Sequence, residues 1–198
     1  IKTDPGQEKN ISKENPNQVA KMRAFYDQWW TDLKPSFAQT TEIQLGHPDH
    51  PKVTMTAHDW LNTGPPWHQG MIRGAKGGEK PKFSGHWAIK VLEEGNYKIS
   101  LLRWPEEAKH PINATLPPGS NVPGASKAFR TTKGVSIKAT AAALLLNGQE
   151  IARKPVGKKD IAISFTTKLI KGSHAIAPIF RSPKGETGAF YCIIEKQP

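Results

Sequence analysis

The sequence predicts a mainly β protein, in which a two-sheet antiparallel β-sandwich of jelly-roll type follows one N-terminal α-helix. Two observations predict this fold class. Apolar side chains recur at three- and four-residue intervals only over residues 16–34, and this is the period of a helix. After Pro35 the apolar period changes to two, in about eight short segments separated by turn residues, which is typical of a β-sandwich.

The helix is expected to begin after Asn15 and to end before Pro35. Asn15 followed by Pro16 is typical of an N-cap and a proline in the first helical turn. The apolar positions then form one stripe along a helix of about 18 residues; they are Val19, Met22, Tyr26, Trp29 and Leu33. Because this stripe ends in large aromatic residues, we expect it to pack against another surface.

The segments that follow are expected to form the strands of the sandwich. Alternation of apolar and polar residues is clearest in the segments that contain Trp87, Tyr97 and Val135. The predicted strands are Thr40–Leu45, Lys52–Ala57, Gly85–Leu92, Asn96–Trp104, Gly134–Leu146, Ile161–Lys168, Ser173–Arg181 and Gly188–Glu195.

Turn residues separate these strands. Glu94-Gly95 and Asn147-Gly148 are typical of hairpin turns. Lys171-Gly172 and Lys184-Gly185 indicate further chain reversals. The proline-rich segment Pro105–Lys133 is expected to be a long crossover loop.

The charge balance narrows the classes of partner. A net charge of +11 over 198 residues favours attraction to polyanions such as nucleic acid or sulfated glycan. The basic clusters at 73–82 and 153–159 contain Gly or Pro, so we expect both on surface loops. A nucleic-acid module usually carries a recognition helix or an aromatic–basic sheet motif, and neither is visible. No run approaches the roughly 18 apolar residues that cross a bilayer. We therefore predict neither a nucleic-acid nor a membrane partner.

The single cysteine, Cys192, excludes an intramolecular disulfide and a cysteine-rich zinc site. It lies in AFYCIIE, where the alternation predicts a buried strand and hence an inert thiol. No G-x-S-x-G elbow is present, so we assign no catalytic residue.

The stretch AHDWLNTGPPWHQ, residues 57–69, concentrates two histidines, two tryptophans and a carboxylate. Such a mixture suits an active site, a metal site, a platform for stacking sugars, or an aromatic loop that closes a sheet. The chain has no helical pair of histidines, and we predict no metal ligand here. His58 and Asp59 are expected to hydrogen-bond within the sandwich and to fix this loop.

Tryptophan rings stack on sugars and tolerate partial exposure at their polar edge. We expect Trp87 and Trp104 to lie in the core, because they belong to predicted strands. The two tryptophans of the stretch 57–69 and two basic neighbours form a candidate edge that faces a glycan or another domain. Its residues are Trp60, Trp67, His68 and Arg73.

The start of the chain resembles the C-terminal portion of bacterial arylsulfatase-type sulfatases. It reads TDPGQEKNI and then ENPNQVAKMRAFYDQWW; the residues that carry the resemblance are Asp4, Pro5, Glu8, Asn10, Trp29 and Trp30. The later segments AHDW and GHWAIKVLEEGNYKISLLRWPEEA are similar to the β-rich extension of many such sulfatases.

The resemblance implies a noncatalytic C-terminal region of a secreted or periplasmic sulfatase. Sulfatases generate formylglycine in a C-x-P-S-R type motif beside the acids that bind calcium, whereas Cys192 is followed by Ile193-Ile194-Glu195. The formylglycine and the calcium would therefore lie upstream, and the resemblance implies no cofactor in this piece. Residues 1–38 would be the tail of the catalytic region with a linking helix, and 39–198 the C-terminal sandwich. The implied partners are the catalytic domain in cis and sulfated polysaccharide.

An alternative function is an independent carbohydrate-binding module. The segments AAALLLNGQ, IAISFTTKLIKGSHAIAPIF and GAFYCIIE resemble the back half of some glycan-binding sandwiches. The fold would then be carbohydrate-binding-module-like. A nucleic-acid-binding protein is supported by charge alone, and an enzyme that uses His58, Asp59 and His68 lacks a nucleophile.

Overall fold

A computed structural model of the chain describes residues 2–61, 64–75, 84–120, 123–124 and 131–198. The chain divides into two compact units, Ile1–Thr41 and Glu42–Pro198. The first is helical and the second is a β-sandwich, so the predicted fold class, mainly β with one long N-terminal helix, is confirmed. Within the described residues, no helix combines the length and the apolar character needed to cross a membrane.

Helix α1 spans Pro16–Leu33 and continues into a 3-10 turn at Lys34–Ala38. Pro16 occupies the first turn, as predicted. Asn15 does not cap the helix through its side chain, because its Nδ2 donates instead to the carbonyl of Ile11 at 3.0 Å. No residue of α1 is buried within the chain.

The sandwich contains ten strands in the part of the chain that the structure describes. In chain order the elements are β1 Ile43–Leu45, β2 Lys52–Thr56, α2 Gln69–Gly74, β3 Trp87–Val91, β4 Gly95–Leu102, β5 Ala141–Leu146, β6 Gln149–Pro155, β7 Ala162–Leu169, β8 Gly172–Ser182, β9 Gly185–Gly188 and β10 Tyr191–Lys196.

The strands form a six-stranded and a four-stranded sheet. The first has the order β1-β3-β8-β5-β6, with β9 paired to β8, and the second has the order β2-β10-β4-β7. All pairings are antiparallel except the one between β1 and β3 at an edge of the larger sheet.

Of the four predicted turns, two join paired strands, whereas Glu94-Gly95 and Lys171-Gly172 join strands of opposite sheets. Asn147 and Gly148 form the β5–β6 hairpin turn with φ values of 51° and 80°, in the left-handed region that such a turn requires. Lys184-Gly185 turns β8 into β9. Glu94-Gly95 is not a hairpin turn, because β3 and β4 belong to opposite sheets.

Four segments differ from the prediction. Strand β6 covers part of the basic cluster that we expected on a loop; it is an edge strand, exposed on both faces, and therefore shows no alternation. Strand β9 has only four residues, and the short helix α2 lies where we expected an irregular loop. The stretch 134–140 forms no regular strand, despite its alternating apolar residues.

The core lies between the two sheets. Trp87 of β3 is fully buried, and Trp104 after β4 is 5% exposed, so both tryptophans are core residues as predicted. Cys192 of β10 is fully buried, and this burial raises the pKa of its thiol. The predicted inert cysteine is consistent with this position.

Candidate functional site

Trp60 lies in the core and not on the predicted contact edge. Only 4% of it is exposed. Its ring stacks on Phe190, with centroids 5.6 Å apart, and meets Trp87 edge-on at 5.8 Å. A ring enclosed in this way has no free face for a sugar, so the prediction for Trp60 is corrected.

The backbone explains why Trp60 turns inward. Strand β2 ends at Thr56, and a 3-10 turn at Ala57–Asp59 brings Trp60 over the sheet. Gly85 lies against the indole, since a Cβ on it would stand 2.6 Å from Cβ of Trp60. His58 and Asp59 are exposed, and neither side chain has a hydrogen bond to the described residues; they do not fix the loop as expected.

Trp67 is the exposed tryptophan of this stretch, with 75% of its surface accessible. It precedes helix α2, and its backbone N–H donates to Sδ of Met71 at 3.2 Å. His68 is half-buried at the N-cap of α2, where its carbonyl accepts the Met71 N–H at 3.0 Å. Asn62 and Thr63 lie outside the described residues, as does much of the basic cluster at 73–82.

Arg73 is half-buried in the last turn of α2 and holds the long loop. Its Nε donates to the Thr132 carbonyl at 2.6 Å, and its Nη2 donates to the Pro117 carbonyl. No carboxylate of the described residues forms an ion pair with it. Arg73 is therefore a positioned cation without a counter-charge in this part of the chain.

Arg103, which sequence reasoning missed, anchors α2 from below. It is fully buried, and its Nη2 lies 3.2 Å from the Ile72 carbonyl and 3.4 Å from the carbonyls of Arg73 and Ala75. Its guanidinium also lies 4.3 Å from the Trp104 ring centroid.

The last carbonyls of a helix carry partial negative charge, and an aromatic face attracts cations. The last carbonyls of α2 and the Trp104 ring therefore compensate the buried charge of Arg103. Burial lowers the pKa of the Arg103 guanidinium to about 9, which leaves it charged at neutral pH.

A cleft of about 190 Å³ opens beside α2. It is lined by three residues of α2, by the segment that follows β4, by Leu116 and by the first residue of β10. The lining residues are Gln69, Ile72, Arg73, Trp104, Pro105, Ala108, His110, Leu116 and Tyr191. Of the predicted edge, Arg73 lies in this cleft, and Trp67 lies two residues before its first member.

The aromatic part of the cleft is fixed from behind. Trp104 Nε1 donates to the Pro111 carbonyl at 3.0 Å, and His110 stands edge-on to the Trp104 ring with centroids 6.4 Å apart. Burial, and to a lesser extent the charge of Glu107, raises the pKa of the half-buried Tyr191. Tyr191 is thus a neutral hydroxyl donor at physiological pH.

A wider, polar groove of about 800 Å³ lies at the other end of β4 and β10. Its lining residues are Gly46, His47, Pro48, Pro51, Glu93, Glu94, Gly95, Asn96, Lys98, Glu195, Lys196, Gln197 and Pro198. Glu93 is paired with Lys196, and Glu94 with Lys168 at 3.4 Å. These two carboxylates of the groove are already matched by lysines.

The histidines and carboxylates of the sandwich do not gather into a metal site in the part of the chain that the structure describes. No three His, Cys, Asp or Glu side chains among the described residues stand close enough together to hold a metal ion. His47 and His50 close the turn between β1 and β2, with the His50 N–H donating to the His47 carbonyl at 3.0 Å.

Neither a family model nor a curated protein matches the sequence. Similar solved structures include a ruminal GH26 endo-beta-1,4-mannanase, with 15% identity, 77% of this chain and 27% of that chain covered, and a TM-score of 0.41. They also include a family 35 carbohydrate binding module from an environmental isolate, with 10% identity, 58% and 69% coverage, and a TM-score of 0.32.

A family 35 module from Clostridium thermocellum has 11% identity, 75% and 90% coverage, and a TM-score of 0.32. This chain spans about a quarter of the mannanase's length. At these identities and TM-scores, the similar structures show neither a family nor a function for this chain.

Proposed function

We propose that this chain is a noncatalytic accessory region of a sulfatase-type hydrolase, and that its β-sandwich contacts carbohydrate. The observation that carries the proposal is the exposed indole of Trp67, which immediately precedes a helix held by a buried arginine. An exposed tryptophan on a rigid support offers a flat apolar face to a sugar ring at little entropic cost.

The position of the cysteine supports a noncatalytic role. Cys192 is fully buried in a central strand, and burial raises the pKa of its thiol, so it neither reaches a substrate nor forms a thiolate readily. The purified 198-residue chain is expected to leave an aryl sulfate intact. Hydrolysis above the rate of a buffer blank, in a preparation free of other sulfatases, would contradict the proposal.

Carbohydrate contact is tested by affinity measurements on a panel of sulfated and neutral polysaccharides. Trp67→Ala is expected to weaken binding by about 2 kcal/mol, or roughly 30-fold in Kd, because an aromatic anchor is removed. Trp29→Ala is the matched control: Trp29 is exposed by 47% but lies in the helical unit, so binding should be unchanged.

Two outcomes would overturn this function. One is that no polysaccharide of the panel binds. The other is that binding survives Trp67→Ala at wild-type affinity. The unfolding curves of the wild type and of Trp67→Ala should coincide, since a side chain that is 75% exposed contributes little to stability.

A second candidate function, support of the catalytic domain, rests on α1. Its aromatic side chains are exposed and close to one another; Tyr26 and Trp30 stack at 6.3 Å, and Trp30 meets Phe37 at 5.2 Å. Phe25 is 75% exposed. An apolar surface of this kind marks an interaction site, and the sulfatase resemblance makes the upstream catalytic domain its partner.

This second function is tested on the full-length parent protein, whose sequence before Ile1 should contain a C-x-P-S-R motif. Phe25→Ser is expected to lower the unfolding temperature of the catalytic domain by removing a buried interdomain contact. Lys21→Ser, a polar position of the same helix, is the control. Absence of the motif, or equal effects of the two substitutions, would contradict a supporting role.

A further inference from the structure

We infer that the cleft beside α2 binds one sugar residue that carries an anionic group, with Arg73 as the cation that selects it. This inference rests on the proposed carbohydrate contact and names its ligand class. All residues that line the cleft belong to the sandwich unit.

The size of the cleft sets the size of the ligand. Its volume is about 190 Å³. Sites that enclose a drug-sized ligand have roughly 300–1,000 Å³. The cleft lies below this range, so we expect it to hold one sugar ring of a ligand.

The lining suits a sugar ring. The half-buried Tyr191 supplies apolar ring surface, and its hydroxyl and the amide of Gln69 supply hydrogen-bonding groups. Trp104, which is only 5% exposed, closes the back of the cleft. Sugar rings combine apolar C–H faces with equatorial hydroxyls, and they therefore bind where aromatic faces and a few polar groups converge.

The charge of the cleft selects an anion. Arg73 has its Nε and Nη2 fixed by backbone carbonyls, and no carboxylate of the described residues neutralises it. The rest of its planar fork is free to donate to an oxyanion, a geometry that guanidinium groups match well. A fixed cation at the wall of an otherwise aromatic cleft binds an anionic sugar more tightly than a neutral one.

The nearby carboxylates orient the ligand. Glu106 is engaged by Lys52 at 3.0 Å, whereas the charge of Glu107 acts on Tyr191. A second negative charge close to Tyr191 would be repelled by Glu107. The anionic group of the ligand is therefore expected to point towards Arg73 and its hydroxyls towards Tyr191.

A sulfate ester and a uronic acid carboxylate share this chemistry, and separate probes distinguish them. We would titrate the chain with galactose 6-sulfate, glucuronic acid and galactose, following the indole signals by NMR. At least one anionic sugar should bind about tenfold or more tighter than galactose, a difference of ~1.4 kcal/mol. Added salt should reduce this preference, because the contact is electrostatic.

Two variants localise the binding. Ala108→Trp fills the cleft without touching Arg73 and should abolish binding of the anionic sugar. Thr166→Trp is the control, because Thr166 is exposed on β7 and does not line the cleft. Arg73→Gln should remove the preference for the anion; if it fails to fold, Ala108→Trp and the comparison with galactose still decide the matter.

The failures are separable from failure of the proposed function. If polysaccharides bind through Trp67 but Ala108→Trp has no effect on the anionic sugar, the cleft inference is wrong and carbohydrate contact stands. Equal affinity for galactose and both anionic sugars overturns the selection by Arg73. If neither polysaccharides nor single sugars bind, both proposals fail.

Discussion

Strands β4 and β10 run from one end of the sandwich to the other. A cation lies at each end, and the environments of the two cations differ. At the cleft end, Arg103 is fully buried and donates to the last carbonyls of α2. At the groove end, roughly 25 Å away along an eight-residue strand, Lys196 forms an exposed ion pair with Glu93.

The two cations differ in the interactions that they lose when the protein unfolds. Lys196 and Glu93 regain water and lose an ion pair that solvent already screens, so the net effect is small. Arg103 donates to the carbonyls of Ile72, Arg73 and Ala75, and the contact with Ala75 is fully buried. Loss of Arg103 therefore removes the donor to a buried acceptor. Arg103 therefore stabilises the cleft end, where Trp67 and Arg73 lie, more than the ion pair stabilises the groove end.

The largest difference in the free energy of unfolding is expected between the alanine variants of the two tryptophans in the stretch 57–69. Trp60→Ala should reduce the free energy of unfolding by about 3–5 kcal/mol, because it empties a site packed by Phe190 and Trp87. Trp67→Ala should change it by less than about 0.5 kcal/mol. Urea unfolding measures both, and equal losses would contradict the assignment of one ring to the core and one to the surface.

The two cations provide the next test. Arg103→Met should destabilise the protein by about 3 kcal/mol, since the buried carbonyls of Ala75 and Ile112 lose this donor. It should also expose α2 to trypsin cleavage after Arg73. The matched variant Lys196→Met should leave both the urea midpoint and the cleavage pattern near those of the wild type. A stable Arg103→Met protein that resists trypsin would show that packing alone positions α2.

The periodic elements could be predicted from the sequence because their signal is local. Helix α1 and most strands follow from the spacing of neighbouring apolar residues. Strand β6 could not be found in this way, since both of its faces are exposed and its pairing with β5 is set by a partner strand.

The site depends on contacts between distant segments, which periodicity does not contain. Arg103 contacts carbonyls 28 to 31 residues earlier in the chain, and Tyr191 reaches the cleft from the last strand. A local signal did exist for the tryptophans. Trp60 follows the 3-10 turn at the end of β2, whereas Trp67 comes after Gly-Pro-Pro.

The smallest effect concerns the titration of the groove end. The hydrogen bond from Lys196, with its positive charge, holds the pKa of Glu93 below its ordinary value of 4.5. The same pair raises the pKa of Lys196 above 10.5. The contribution of the pair to stability is thus complete between these ordinary values. It is lost as pH falls through the lowered pKa of Glu93, or as pH rises through the raised pKa of Lys196.

NMR titration of the Glu93 side-chain carboxyl measures this coupling directly. In Lys196→Gln the midpoint should move up towards 4.5 because the ammonium is gone. High salt should move the wild-type midpoint in the same direction, since the pair is exposed. In contrast, Lys196→Gln should not alter anion binding at the cleft, which lies at the other end of β10. A change in anion binding would mean that the two ends are coupled through the sheet, and that the cleft end is not stabilised independently of the groove end.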